Sequence, residues 1–331
     1  MNTNFLPTGL GAGLGMLILI LDSRTALETA RECMQLITQT LIPSLFPFFF
    51  LSNWLTSSGC HSFRILSHIG RLFRLPENCS YLLLPAFLGG YPSGAQAVES
   101  AREQGQLSQE SAERLLGYCS NAGPSFLFGI LSGFFPMPWM CWTLWAIHIA
   151  GALCAAWILP SPAIKSSHTA GNTPKISFSE ILMRSIKATA MVCGWVILFR
   201  ILLAFADRWF LWIFSQPIKV FLAGLLELTN GCCQLDRITD IRLRFIICST
   251  MLSLGGLCVT MQTQSVVSQL NLQYYYKGKG IQSVFSVCAA SAIMYKTYLP
   301  LFVPLLLFLY AVFKSKKEVA FPLRMVYNDQ K

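Results

Sequence analysis

Long apolar runs without charged side chains are the strongest constraint on this sequence. Residues 115–164 contain no Asp, Glu, Lys or Arg, and a shorter charge-free run covers residues 5–21. A helix needs about 20 mainly apolar residues to span a bilayer, so the longer run has room for two crossings. These runs predict an all-α polytopic membrane protein with about seven to nine hydrophobic segments.

The composition favours the same class. The 331 residues are 54% hydrophobic and only 12% charged, whereas soluble domains carry about 25% charged residues. The net charge of +10 comes mainly from Lys and Arg between the apolar runs and in the tail. Retention of basic loops in the cytoplasm explains that distribution, so we expect no nucleic-acid partner. The twelve Cys form no CxxC pair and the four His lack metal-ligand spacing, so no metal site is predicted.

A polar segment divides the chain into two halves with a similar order of segments. Each half has a helix, a broken apolar segment, a charged turn, a helix with a glycine break and a closing helix. This order predicts a weak internal repeat. The predicted units are an N-terminal transmembrane helix (1–25), a first half (26–160), a linker (161–175), a second half (176–313) and a basic cytoplasmic tail (314–331).

Glycine and proline interrupt the apolar sequence at four places: 88–95 and 119–125 in the first half, and 227–231 and 253–256 in the second. Backbone that leaves a helix inside a bilayer must be buried in protein or line a cavity, because lipid cannot hydrogen-bond it. Paired interruptions in two halves are typical of a solute site. The residues expected to break the helices are Gly89, Gly90, Pro92, Gly94, Gly123, Pro124, Gly231, Gly255 and Gly256.

Glu227 is the ionisable residue that stands out, because it lies beside apolar Leu225, Leu226 and Leu228. Such a residue usually faces a cavity or a partner. It could bind a cationic or hydroxylated solute, hold Na⁺ or exchange a proton; the alternative is a helix end at the interface, capped by Asn230 and Gly231. The candidate substrate-binding residues are Tyr91, Ser93, Gln96, Ser120, Asn121, Ser125, Glu227, Thr229, Asn230 and Gln262.

The remaining polar and charged residues have simpler interpretations. Ser125 is expected to cap a half-helix after the second break. Lys277 and Lys279 are assigned to a polar loop before a closing helix over 281–313. Arg200 and Lys296 lie within apolar runs, where long basic side chains usually extend to an interface, although either could pair with the carboxylate at position 227.

The sequence lacks a Gly-x-Ser-x-Gly motif, a His-Glu-x-x-His motif and a phosphate-binding loop. These motifs carry common hydrolytic and nucleotide chemistry. We therefore expect neither an enzyme nor a bound cofactor, and leave open a coupling Na⁺ or H⁺.

Several of these motifs resemble one known family. The segments at 43–49, 89–95, 121–125, 227–231 and 255–257 resemble the sporulation integral membrane protein YlbJ family, whose members carry a nucleoside recognition or "Gate" domain. The resemblance covers about residues 27–313 and implies a role in spore formation in a spore-forming bacterium. It leaves the solute, nucleoside-like or otherwise, undetermined.

Together these observations predict a multi-pass, permease-like protein of the cell membrane, or of a forespore-associated membrane, that moves or senses a small solute between two halves. Its expected partners are the lipid bilayer and the solute, and self-association is left open. The alternative function is a non-transporting membrane scaffold needed for spore formation. A scaffold should tolerate alanine at Asn121 and Glu227, whereas changes in the basic surface stretch at Arg64, Arg71 and Arg74 should mislocalise it.

Overall fold

The computed structural model describes residues 5–57, 64–75, 77–160, 177–267 and 269–310. Every regular element in these ranges is helical, as the apolar runs predicted. The predicted linker and basic tail lie almost wholly outside the described residues. The helices are α1 (Phe5–Leu21), α2 (Ser23–Leu36), α3 (Ile42–Ser57), α4 (Arg64–Leu72), α5 (Ser93–Glu103), α6 (Gln109–Cys119), α7 (Pro124–Gly129), α8 (Pro138–Ile158), α9 (Phe178–Trp209), α10 (Gln216–Leu226), α11 (Leu228–Cys232), α12 (Ile241–Leu254), α13 (Gly256–Val266) and α14 (Gln273–Tyr295).

Four helical stretches in the described ranges are long and apolar enough to cross a membrane: Ser23–Leu55, Pro138–Ile158, Phe178–Trp209 and Ile241–Val266. Shorter apolar helices accompany them, at Ala12–Leu21, Cys79–Gly89, Gln216–Leu226 and Leu299–Tyr310. A helix shorter than about 17 residues does not reach across the hydrocarbon core when it stands alone. The shorter helices therefore have to combine with a neighbour or stop within the protein.

The chain folds back on itself at the first break. A π-helical turn, Pro85–Gly89, leads into Gly90, whose φ of 77° lies in the left-handed region that favours glycine. A cis Tyr91–Pro92 peptide bond follows, and α5 then returns along the turn. The return is close, because a Cβ added to Gly94 would lie 2.9 Å from Cα of Ala86. This segment is therefore a tight hairpin.

A second reversal occurs between α10 and α11. Proline near the start of α10 suits a helix N-terminus, where its missing N–H is not needed. The chain leaves the helical conformation at Glu227 and turns back, so that Gly231 lies directly against the backbone of Gly224. Any side chain at position 231 would collide with that backbone, so this contact needs glycine.

The other two breaks separate helices that run on after an interruption. Residues 120–123 are unwound between α6 and α7. Gly255, with φ of 75°, separates α12 from α13. Ser108 caps α6, with its Oγ accepting a hydrogen bond from the Ser111 N–H at 3.2 Å. Ser125 does not cap α7: that helix begins after Gly123 without a side-chain cap.

Helix α14 packs against α6, α8 and α12 and so joins the two halves. Its crossing with α6 is a backbone contact, because a Cβ on Gly278 would collide with the carbonyl oxygen of Gly117. Tyr275 of α14 belongs to the same apolar core as Leu115 and Ala152 of the first half.

Two arginines bind the C-terminal end of α8. Arg114, which is fully buried, donates from Nη2 to the carbonyl oxygen of Ala156 at 2.8 Å. Arg74 donates to the carbonyl oxygen of Trp157 at 3.4 Å and stacks over its ring at 5.1 Å. A helix C-terminus carries partial negative charge on its free carbonyls, which attracts cations. The two arginines therefore donate to carbonyl oxygens that have no N–H donor from a following helical turn.

The structure corrects the loop assignment of Lys277 and Lys279 and shows the surroundings of Lys296 and Arg200. The closing helix begins at Gln273 and not at 281, so Lys277 and Lys279 belong to α14 and not to a loop. That helix ends at Tyr295, where Lys296 adopts a left-handed conformation and is exposed. Arg200 pairs with Glu32, at 3.4 Å between Nη2 and Oε2.

Candidate functional site

Three of the four breaks line one small cavity of about 60 Å³, called here the inner cavity, and α13, which follows the fourth break, lines it as well. Gly90 and Tyr91 come from the first break, and Gly123 comes from the second. Glu227 comes from the third break, and Val259 comes from α13, which follows the fourth break. The sequence predicted each break separately, and the fold brings three of them together with α13. Of the candidate substrate-binding residues, those that line this cavity are Tyr91, Ser125, Glu227, Thr229 and Gln262.

Glu227 is buried, with 2% of its surface exposed, and it caps the short helix α11. One carboxylate oxygen accepts from the Thr229 N–H at 3.0 Å. The other accepts from the Asn230 N–H at 2.7 Å and from the Asn230 side-chain amide at 2.6 Å. Hydrogen bonds of this kind stabilise a charged carboxylate away from water. Asn230 lies inside α11, so the expected Asn230–Gly231 C-cap is wrong and Glu227 is instead an N-cap.

A larger, open cleft of about 480 Å³ lies on the other side of α11. Asn230 lines this cleft while Glu227 lines the inner cavity, so the hydrogen bonds between them join the walls of the two spaces. Two ion pairs belong to the cleft wall, Arg200–Glu32 and Lys219–Asp207, the latter at 2.6 Å. Its other polar or charged lining residues are Thr29, Cys33, Cys233, Gln234 and Arg237.

A second polar cluster lies at the contact of α14 with the first two breaks. Lys279, only 4% exposed, donates to the Tyr91 hydroxyl at 2.8 Å and to the Ser120 carbonyl oxygen at 2.5 Å. It also donates to Gln282 Oε1 at 3.3 Å. The Tyr91 hydroxyl in turn donates to the carbonyl oxygen of Leu252, near the end of α12. One ammonium thus connects the first, second and fourth breaks.

The same cluster continues through amide side chains. Gln282 donates from Nε2 to Asn121 Oδ1 and to the backbone oxygen of His148, both at 3.0 Å. Asn121 donates to the carbonyl oxygen of Tyr118 at 2.7 Å. His148 Nε2 accepts from the Ala122 N–H at 3.0 Å, so this ring nitrogen carries no proton. The unwound backbone at 120–123 is therefore held by side chains of α8 and α14.

Four other candidate residues, Ser93, Gln96, Ser120 and Asn121, line neither of the two spaces. Ser93 donates to carbonyl oxygens of Pro85 and Gly90 inside the first hairpin. Ser120 and Asn121 belong to the cluster around Lys279 and do not line either of the two spaces described. Gln96 is half-buried on α5 and lines neither of them.

Sequence reasoning missed Lys279, Gln282 and His148. A signal was present for the first two, because Lys279, Gln282, Ser283 and Ser286 fall on one face of a helix at spacings of three, four and seven. The glycines on both sides of Lys279 favoured a loop and hid this pattern. His148 is a single polar residue in an apolar helix, and nothing near it in sequence indicates its partner.

Helices long and apolar enough to span a bilayer, together with broken backbone buried inside the protein, define a helical integral membrane protein. The chain is 25% identical over 311 aligned residues to the sporulation integral membrane protein YlbJ of Bacillus subtilis (strain 168), covering 80% of this chain and 76% of that protein. This similarity supports its assignment to the YlbJ family, as the motifs indicated. No protein-family model matches the chain, and no solved structure matches it significantly.

Proposed function

We propose that this protein is a multi-pass, permease-like membrane protein that moves or senses a small solute at the cavity between its two halves. The observation that carries the proposal is the meeting of three helix breaks and of α13, which follows the fourth, around one cavity with a buried carboxylate, Glu227. Transporters commonly place substrate sites where discontinuous helices meet, because the freed backbone groups and helix ends can bind a solute. The proposal involves no catalytic step.

The order of elements supports two related halves on either side of the linker. The hairpin before α5, the broken pair α6–α7 and then α8 have the same order as the hairpin α10–α11, the broken pair α12–α13 and then α14. We propose that these are two repeats of the Gate-domain type, spanning 26–160 and 176–313. A site between repeats suits alternating access, since each repeat can move about a fixed centre.

The two spaces suggest a route for the solute. The open cleft, of about 480 Å³, is large enough for a small molecule, whereas the inner cavity of about 60 Å³ is not. In our proposal the solute enters the cleft, and a movement of α11 about Glu227 then enlarges the cavity. The Asn230–Glu227 hydrogen bonds would have to open or move during that step.

The Bacillus subtilis relative is a sporulation integral membrane protein, and this similarity supports a role in spore formation. We propose a location in the cell membrane or in a forespore-associated membrane. A nucleoside-like solute is one candidate, and coupling to Na⁺ or H⁺ and assembly into a homo-oligomer also belong to the proposal.

The test is uptake of a panel of labelled nucleosides and small metabolites into liposomes that contain the purified protein. The wild type should take up at least one compound, and Glu227→Gln should lose this uptake. Glutamine keeps one oxygen that can accept from one of the two backbone N–H groups of α11, and thermal unfolding of the variant checks that it remains folded. Glu110→Gln, at an exposed position in the first turn of α6, is the matched control and should keep full uptake.

If Glu227→Gln transports normally, Glu227 has no part in the mechanism. If the folded wild type takes up no compound while alanine at Asn121 and Glu227 leaves sporulation unaffected, the scaffold function is the correct one.

A further inference from the structure

The ammonium of Lys279 occupies a cage of oxygen atoms. Its three oxygens are the Tyr91 hydroxyl at 2.8 Å, the Ser120 carbonyl at 2.5 Å and Gln282 Oε1 at 3.3 Å. A lysine ammonium has three N–H donors, so the three acceptors match it in number. Two of the three oxygens come from the first half of the chain, whereas Lys279 and Gln282 come from α14.

This ammonium has no acidic partner among the ion pairs of the described residues. Its positive charge is stabilised by carbonyl dipoles and by two tyrosine rings. Ser120 follows the last residue of α6, where free carbonyls carry partial negative charge. The rings of Tyr91 and Tyr275 lie 4.8 and 5.8 Å from Nζ, within the range of cation–π attraction.

These neutral oxygens are the ligands of a monovalent-cation site. In transporters with broken helices, unwound carbonyls and the C-terminal ends of half-helices coordinate Na⁺. The cage here has the same components: an unwound carbonyl at a helix end, a hydroxyl and an amide oxygen. Ser120 also has a buried hydroxyl oxygen without a hydrogen-bond partner.

We propose that this cage is a monovalent-cation site whose occupant is covalently attached: the Lys279 ammonium stands where a free Na⁺ or ammonium ion would otherwise bind. The attached cation donates hydrogen bonds to carbonyl and amide oxygens that would otherwise be buried without a donor. It also holds the first and second breaks against α14 without requiring an ion from solution. This proposal goes beyond the proposed transport function. It is tested by thermal unfolding and not by uptake, so the failure of one proposal can be told apart from the failure of the other.

The experiment removes the ammonium and supplies a free cation. Thermal unfolding of Lys279→Ala in detergent is compared in n-propylammonium, sodium and choline chloride at equal ionic strength. Propylammonium reproduces the atoms that the substitution removes, and choline is too large for the cage. We expect a lower Tm than in the wild type, partly recovered by propylammonium or Na⁺ and not by choline. Lack of any cation-selective recovery overturns the proposal.

Three further variants complete the test. Lys277→Ala, at an exposed position of the same helix, should unfold like the wild type and show no cation selectivity. Lys279→Met fills the space without a charge, so it should be less stable than the wild type and unresponsive to propylammonium. Wild-type stability in Lys279→Met overturns the proposal.

Tyr91→Phe keeps Lys279 and removes one oxygen of the cage, so it gives an answer even when Lys279→Ala fails to fold. This variant should lose stability equally in sodium and choline, because the attached cation is still present. If Tyr91→Phe is as stable as the wild type, the hydroxyl does not bind the ammonium and the cage as described is wrong.

Discussion

Gly90 and Gly123 lie in direct backbone contact, although they belong to two different breaks. A Cβ on Gly123 would stand 2.9 Å from the backbone nitrogen of Gly90 and 3.1 Å from the carbonyl oxygen of Leu88. Both glycines line the inner cavity. The first two breaks therefore form one wall of the cavity. They can approach this closely because neither glycine has a side chain.

Gly123→Ala should push the two breaks apart. Overpacking at a close backbone contact typically costs about 1–3 kcal/mol, so the Tm should fall. Gly129→Ala, at the end of α7 and with nothing within 4 Å of the added Cβ, is the control, and it should change stability by no more than about 0.5 kcal/mol. Equal Tm values for the two variants would contradict the contact.

His148→Phe should destabilise the protein by about 1–3 kcal/mol, because the buried Ala122 N–H loses its acceptor. Phenylalanine fills a similar space, so a cavity does not account for the loss. Amide hydrogen exchange at Ala122 provides a second measurement and should become faster. If neither the Tm nor the exchange rate changes, His148 does not hold the unwound segment.

Arg114→Met should cost about 1–3 kcal/mol, because the Ala156 carbonyl and the Tyr118 hydroxyl both lose a charged donor. The control is Arg184→Met, which breaks an exposed ion pair with Glu180, and such pairs contribute about 0–1 kcal/mol. Chemical denaturation in one detergent compares the two. A smaller loss for Arg114 than for Arg184 would show that the α8 terminus does not depend on the buried guanidinium.

Cys233 offers a test of the cleft as the entrance for solute. Its side chain is exposed and lines the cleft, whereas its neighbour Cys232 is buried. A bulky maleimide should label the folded wild type at Cys233 and reduce uptake by obstructing the cleft. Cys233→Ser should transport normally and resist inhibition by the reagent. Full uptake after complete labelling at Cys233 would place the entrance elsewhere.

The positions of the breaks could be read from the sequence because each depends on local chemistry. Glycine and proline within apolar sequence remove or distort helical hydrogen bonds wherever they occur. The meeting of Gly90 with Gly123, or of Glu227 with Gln262 around one cavity, depends on contacts between distant segments. No local pattern carries that information.

Charged residues were placed less well, because their environment is set by tertiary contacts. Gly278 and Lys279 look like loop residues, yet Gly278 allows α14 to approach α6 and Lys279 finds three oxygens there. Asn230 and Gly231 look like a helix end, yet Gly231 allows α11 to pack against α10. In both places a glycine serves close packing and not a turn.

The position of α14 also bears on how the chain is made. Its Tyr275 lies in an apolar core built mainly from the first half, and its Gln282 donates to Asn121 Oδ1 and to the His148 backbone oxygen there. During synthesis the first half enters the membrane well before residues 273–295 exist, so its polar interior must wait without these partners. The hydrogen bonds of Gln282 to Asn121 and to the His148 backbone can therefore form only after α14 has been synthesised.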